Sequence, residues 1–123
     1  MNHRVLVVDD SRFIYDEMRY ALENTEFTVA GHCVSGEEVL PMYEALHPDL
    51  VTMDIVLPGI DGLETSARLL KAHPDARIII VSSLDYEETE EKAKSLGVET
   101  FLFKPFERED LIRALRFAAG EIH

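Results

Sequence analysis

Cysteine is almost missing from this chain: Cys33 is the one example in 123 residues, so no internal disulfide can staple the fold. Basic residues are scarce as well. Lys and Arg total 12 against 24 for Asp and Glu, and a formal charge of -12 sets the average field against duplex nucleic acid and anionic lipid. Direct nucleic-acid binding is therefore not expected. Long apolar runs are absent too, since a stretch such as Ile78 to Val81 falls far short of the roughly 20 residues a spanning helix needs. The apolar run Val5 to Val8 stops at Asp9 and Asp10, unlike the core of a signal peptide. What is present is a hydrophobic content of 46% in a chain the length of one ordinary domain. The expectation is a single acidic domain, residues 1–123, cytoplasmic and without membrane insertion.

Four short runs are rich in β-branched or aromatic residues: Val5 to Val8, Leu50 to Met53, Ile78 to Val81 and Phe101 to Phe103, with a more mixed fifth from Phe27 to Val34. The almost continuous apolar character of the Val5 and Ile78 runs fits strands covered on both faces of a parallel sheet. Between the runs lie segments of helical spacing. Ser11 is placed to cap Ile14, Met18, Ala21 and Leu22, with an exit at Asn24. Ser35 precedes Val39, Leu40, Tyr43 and Leu46, and His47-Pro48 ends that segment. Pro41 inside it should cost a hydrogen bond and kink the helix or delay its start. Leu63, Ala67 and Leu70 form the next stripe, closed by His73-Pro74. From Asp85 to Leu96 the anchors thin to Tyr86, Ala93 and Leu96, with Gly97 as C-cap, so this helix should be the loosest. The last helix, about Glu107 to Ala119, should bury Leu111, Ile112, Leu115 and Ala118. The pattern reads as an α/β fold of five successive βα units on a parallel sheet, with no room left for an output domain.

In such a fold ligands gather outside the carboxyl ends of the strands. Those ends carry Asp9 and Asp10, then Asp54, then Ser82 and Ser83, then Lys104. Two carboxylates about 4 Å apart repel by roughly 4 kcal/mol at an effective dielectric near 20, so three on one edge call for a counterion or raised pKa values. Oxygen-only ligands favour Mg²⁺, which takes one or two protein carboxylates and leaves room for phosphoryl oxygens. Lys104 suits a phosphoryl oxygen as a point charge, and Ser82 can donate to another. The set fits phosphoryl transfer to a carboxylate, and Asp54, ending the central strand, is the best-placed acceptor, giving an acyl phosphate.

Asp9-Asp10 after the first strand, Asp54 after the third, the turn Leu57-Pro58-Gly59-Ile60-Asp61-Gly62, Ser82 after the fourth and Lys104-Pro105 after the fifth resemble, from end to end, a response-regulator receiver domain. The likeness is to chemotaxis-type single-domain regulators of two-component signalling. It implies a flavodoxin-like, doubly wound sheet of order 2-1-3-4-5. It also implies Asp54 as phosphoacceptor, Asp9, Asp10 and Asp54 with the backbone carbonyl of Val56 as the Mg²⁺ site, and Ser82 and Lys104 on the phosphoryl group. Ser82 and Phe101 take the switch positions, and a cis Lys104-Pro105 bond is implied. A sensor histidine kinase or phosphotransfer protein of a phosphorelay is the implied donor, and a downstream target protein the implied reader. A homodimer is a related possibility. The alternative within the same family is a receiver cut from a longer regulator with a DNA-binding or enzymatic output domain.

The sequence departs from the family pattern in places. Leu57 stands where methionine is common, and Phe101 lacks a tyrosine hydroxyl. Val56 and Leu84, two residues beyond Asp54 and Ser82, are apolar, which should hinder an attacking water and prolong the phosphorylated state; its lifetime in Val56→Asn tests this. Val56 also argues against an aspartate-nucleophile phosphatase, which needs a second carboxylate there. The expectation is a phosphoacceptor rather than an enzyme. Asp9-Asp10-Ser11-Arg12 argues against a nucleotide- or flavin-binding loop, because two acids repel phosphate. His32-Cys33 forms no metal pair, since strand neighbours face opposite ways, and Cys33 is expected as a buried filler. The acidic run from Asp85 to Glu91 reads as a solvated helix face whose weak anchoring suits a surface that moves.

Overall fold

The computed structural model describes residues 2–83 and 87–121. Strands β1 (His3–Val8), β2 (Phe27–Cys33), β3 (Leu50–Met53), β4 (Ile78–Ser82) and β5 (Thr100–Phe103) alternate with helices α1 (Arg12–Ala21), α2 (Val39–Leu46), α3 (Gly62–Ala72), α4 (Glu87–Leu96) and α5 (Arg108–Ala118). All strand pairs are parallel, and the sheet runs β2-β1-β3-β4-β5, the order implied by the family resemblance.

The alternation of side chains along each strand divides the core in two. Val5, Val7, Leu50, Ile79, Val81 and Leu102 pack with Met18 of α1 and Leu111 and Leu115 of α5. Leu6, Val8, Val51, Met53, Ile78 and Ile80 pack on the opposite face with Val39 of α2, Leu69 of α3 and Ala93 of α4. Both faces of the central strands are thus covered, which is why β4 is buried at every position. Among the described residues, no helix is long and apolar enough to cross a membrane.

Local chemistry sets the element ends. Ser11 caps α1 by accepting from the Ile14 amide at 3.3 Å, and Asn24 takes a left-handed φ of 62° beyond its end. Pro41 delays its helix rather than kinking it. A 3₁₀ turn at Gly36–Glu38 comes first, and α2 begins only at Val39, so Pro41 sits in the first turn, where its missing N–H has no intrahelical acceptor to lose. His47 ends α2 in the left-handed region, at φ 49°.

Helix α3 corrects the sequence reading. Its buried residues are Gly62, Thr65, Ser66 and Leu69, whereas Leu63, Ala67 and Leu70 are half-buried at the flank. Small residues face inward because α3 lies close against the 3₁₀ turn: a Cβ on Gly36 would come within 2.2 Å of the Thr65 hydroxyl. In α4, Ala93 is the buried residue and Gly97 closes the helix at φ 101°, while Tyr86, Leu84 and Asp85 lie outside the described residues. In α5, Leu111, Ile112 and Leu115 are buried as expected, and Ala118 is half-buried.

Candidate functional site

Parallel register brings the strand ends to one edge. Val8 lies beside Met53 and Ser82 beside Phe103, so the residues that follow, Asp9, Asp54 and Lys104, emerge together. Backbone bonds fix them there: the Asp9 amide donates to the Cys33 carbonyl at 3.0 Å, the Asp54 amide to the Val8 carbonyl at 2.9 Å, and the Lys104 amide to the Ser82 carbonyl at 2.9 Å.

Asp9, Asp10 and Asp54 each offer a carboxylate oxygen to a cluster whose atoms lie within 4.8 Å of one another. Asp9 is 1% exposed and Asp54 7%, whereas Asp10 is exposed at the mouth. The Lys104 ammonium donates to Asp9 Oδ2 at 2.8 Å and to Asp54 Oδ2 at 3.4 Å. Asp9 Oδ1 accepts the Ser11 amide at 2.9 Å, which orients the Asp9 carboxylate toward the cluster.

The electrostatics follow from this crowding. Burial pushes the Asp54 carboxyl above its ordinary pKa, with the nearby Asp9 charge adding to the rise and Lys104 opposing it. Burial alone would lower Lys104, but its hydrogen bond to Asp9 and the charges of Asp54 and Asp9 outweigh that and leave its pKa raised. One ammonium faces three carboxylates, so negative charge remains in excess. Hard oxygen donors with excess negative charge and an open side at Asp10 fit a hydrated Mg²⁺. Among the described residues this is the sole group of three or more His, Cys, Asp or Glu side chains so arranged.

Burial distinguishes the remaining expected residues. Ser82 ends β4 at 1% exposure, while Ser83 is exposed. The Val56 side chain is 61% exposed in the loop after β3; Leu84, its expected counterpart, lies outside the described residues. Phe101 is half-buried against the α2–α3–α4 side of the core. The Lys104-Pro105 bond is cis. Cys33 is fully buried, and burial, with a smaller push from Glu38, raises its thiol to about 12, so it stays protonated at neutral pH, as expected of a buried filler.

Two contacts escaped the sequence reading. His32 places Nε2 2.7 Å from the Asp9 carbonyl, and its ring stacks on Tyr15 with centroids 4.1 Å apart. Glu37 reaches from the 3₁₀ turn to the loop beyond Asp54, where its Oε1 accepts the Ile60 amide at 2.8 Å. No local sequence signal marks either, because the partners lie 23 residues apart in both cases. Close packing fixes the other end of that loop: a Cβ on Gly62 would stand 1.9 Å from the Asp54 carbonyl oxygen, so only glycine fits.

Comparison with known proteins agrees with this geometry. The pattern of the family described as the response regulator receiver domain matches residues 5–116. Protein CcdB of Bacillus subtilis is 35% identical over 117 residues, covering 95% of this chain and 98% of that protein. Chemotaxis protein CheY of Thermotoga maritima is 33% identical over 115 residues, covering 94% and 96%. Among solved structures, the CheX-CheY-BeF3-Mg+2 complex from Borrelia burgdorferi superimposes with a TM-score of 0.89 at 27% identity, covering 94% of this chain and 87% of that one.

Proposed function

The chain belongs to the response regulator receiver family of two-component signalling, and from that premise we propose that it is a switch whose phosphoacceptor is Asp54. The observation that carries this reading is the convergence of Asp9, Asp10 and Asp54 oxygens within 4.8 Å, with the Lys104 ammonium bridging Asp9 and Asp54.

Asp10, Asp54, Asp9 and the Val56 carbonyl would hold Mg²⁺, which would supply positive charge to neutralise phosphoryl oxygens. An Asp54 carboxylate oxygen attacks the phosphorus of a donor. The new O–P bond forms as the bond to the leaving group breaks, and the departing nitrogen or oxygen keeps that electron pair. A sensor histidine kinase, a phosphotransfer protein or a small acyl phosphate can be the donor. Lys104 is already 3.4 Å from Asp54, so it can turn its ammonium to a phosphoryl oxygen, while Ser82 donates its hydroxyl to another. Drawing Ser82 inward biases the loop that follows β4. Phe101, packed on the α4 side, then transmits the change to the surface of α4, β5 and α5, where a target protein reads it. The CheX-bound relative shows a receiver of this fold in complex with another protein.

The test is incubation with Mg²⁺ and acetyl phosphate, read by intact mass, for wild type and Asp54→Asn. The expected result is a gain of one phosphoryl group in wild type and none in the variant. No gain in wild type, or an equal gain in both, refutes Asp54 as acceptor.

A further inference from the structure

The loop between Asp54 and α3 is pinned at its base by its own chain. The Gly62 amide donates to the Ile55 carbonyl at 2.8 Å, and Asp61 caps α3 by accepting the Glu64 amide at 2.8 Å. Its tip is held from elsewhere. Glu37 Oε1 accepts the Ile60 amide at 2.8 Å, and Gly59 turns at φ +77° so closely against the same carboxylate that a Cβ there would meet it at 2.4–2.8 Å. Gly36 seats the 3₁₀ turn on the loop, with a hypothetical Cβ 2.9 Å from the Ile60 carbonyl. A carboxylate from before α2 thus fits into the backbone turn that carries Val56 and follows Asp54.

We propose that Glu37 is a positioning residue for the metal site: by clamping Gly59 and Ile60 it holds the Val56 carbonyl ready, so Mg²⁺ binds without first ordering the loop. This rests on the reading of Asp9, Asp10, Asp54 and Val56 as the Mg²⁺ site. With the clamp removed, ordering the loop is charged against metal binding, and affinity falls. The phosphoryl-transfer step at saturating Mg²⁺ is unchanged, because Glu37 touches no reacting atom.

Three variants separate reach from charge. Glu37→Ala loses both, Glu37→Asp keeps the charge but is one methylene too short, and Glu37→Gln keeps an acceptor oxygen at the same reach without the charge. Titration calorimetry with Mg²⁺ alone should show the dissociation constant rising about three- to ten-fold in Ala and Asp and staying near wild type in Gln, the range expected for the net loss of one ordinary hydrogen bond. Hydrogen exchange at the Ile60 amide should quicken in the same two variants. Glu37 is exposed, so global melting should hardly move. Acetyl phosphate uptake should need more Mg²⁺ for half its rate and reach the wild-type maximum.

Wild-type affinity in Glu37→Ala overturns the clamp. Weakening in Gln equal to that in Ala, with Asp unaffected, overturns it in favour of a long-range charge effect. Wild-type protein that binds no Mg²⁺ refutes the metal site itself, and the clamp's purpose falls with it.

Discussion

Asp54 carries its charge at a position where burial opposes it, and the direction of its pKa shift shows which influence wins. Desolvation and the Asp9 charge together exceed the help from Lys104, so the folded protein binds the Asp54 proton more tightly than the unfolded chain does. A carboxyl raised in this way costs stability as pH climbs through its folded value, and costs nothing below the unfolded value of about 3.9, where both states are protonated. Asp54→Asn removes that cost while keeping the shape. In chelator, the variant should unfold later than wild type at pH 7, with the difference disappearing toward pH 3.5. Added Mg²⁺ should reverse the ranking by stabilising wild type more. Denaturant midpoints at the two pH values decide it: a difference independent of pH would show that the Asp54 charge is not the cause.

At the scale of elements, Pro41 shows how a rule about one residue depends on where its helix begins. In a helix interior a proline costs about 3 kcal/mol relative to alanine, but in the first turn its missing N–H removes nothing. Pro41→Ala should therefore change stability by less than about 1 kcal/mol, measured by urea unfolding; a gain near the interior value would mean that α2 extends back through the 3₁₀ turn. The sequence left open whether Pro41 would kink the helix or delay its start, whereas the strand set, the five βα units and the acidic edge were legible, because strand ends and periodicity are local signals. The inward face of α3 was not. Thr65 and Ser66 are both buried, Thr65 because Gly36 of the 3₁₀ turn presses against it, and a polar pair under close packing has no apolar pattern to read. Glu37 was hidden for a related reason: in the sequence it is one acid of a Glu-Glu pair, and only tertiary placement sets it against Gly59 and Ile60. Local chemistry therefore disclosed the groups that would react, whereas the groups that hold them in place became visible only through contacts distant in sequence.

Across the whole molecule, the edge opposite the acidic cluster is closed by a histidine–carboxylate hydrogen bond and an ion pair. His3 Nε2 lies 2.7 Å from Glu121, and Arg116 of α5 holds Glu26, just before β2, with contacts of 2.7 and 3.1 Å. These join the last helix to the start of the sheet, tying chain ends 90 residues or more apart. The Arg116 hydrogen bond, with a further backbone bond, holds the Glu26 carboxyl down at about 2 against an ordinary 4.5. A depressed carboxyl contributes stability above its unfolded pKa and loses it as pH falls through the folded one. The contribution should thus be complete near neutrality, decline from about pH 5 and be gone near pH 2, the window set by those two values. Glu26→Gln isolates it from the other carboxylates that titrate in the same range. The variant should melt below wild type at pH 7, and the gap should narrow on acidification and also in high salt, because the pair is partly solvated. A gap that persists unchanged to pH 2.5 would assign the effect to lost packing at the β2 edge and remove the Arg116 pair from the account of acid sensitivity.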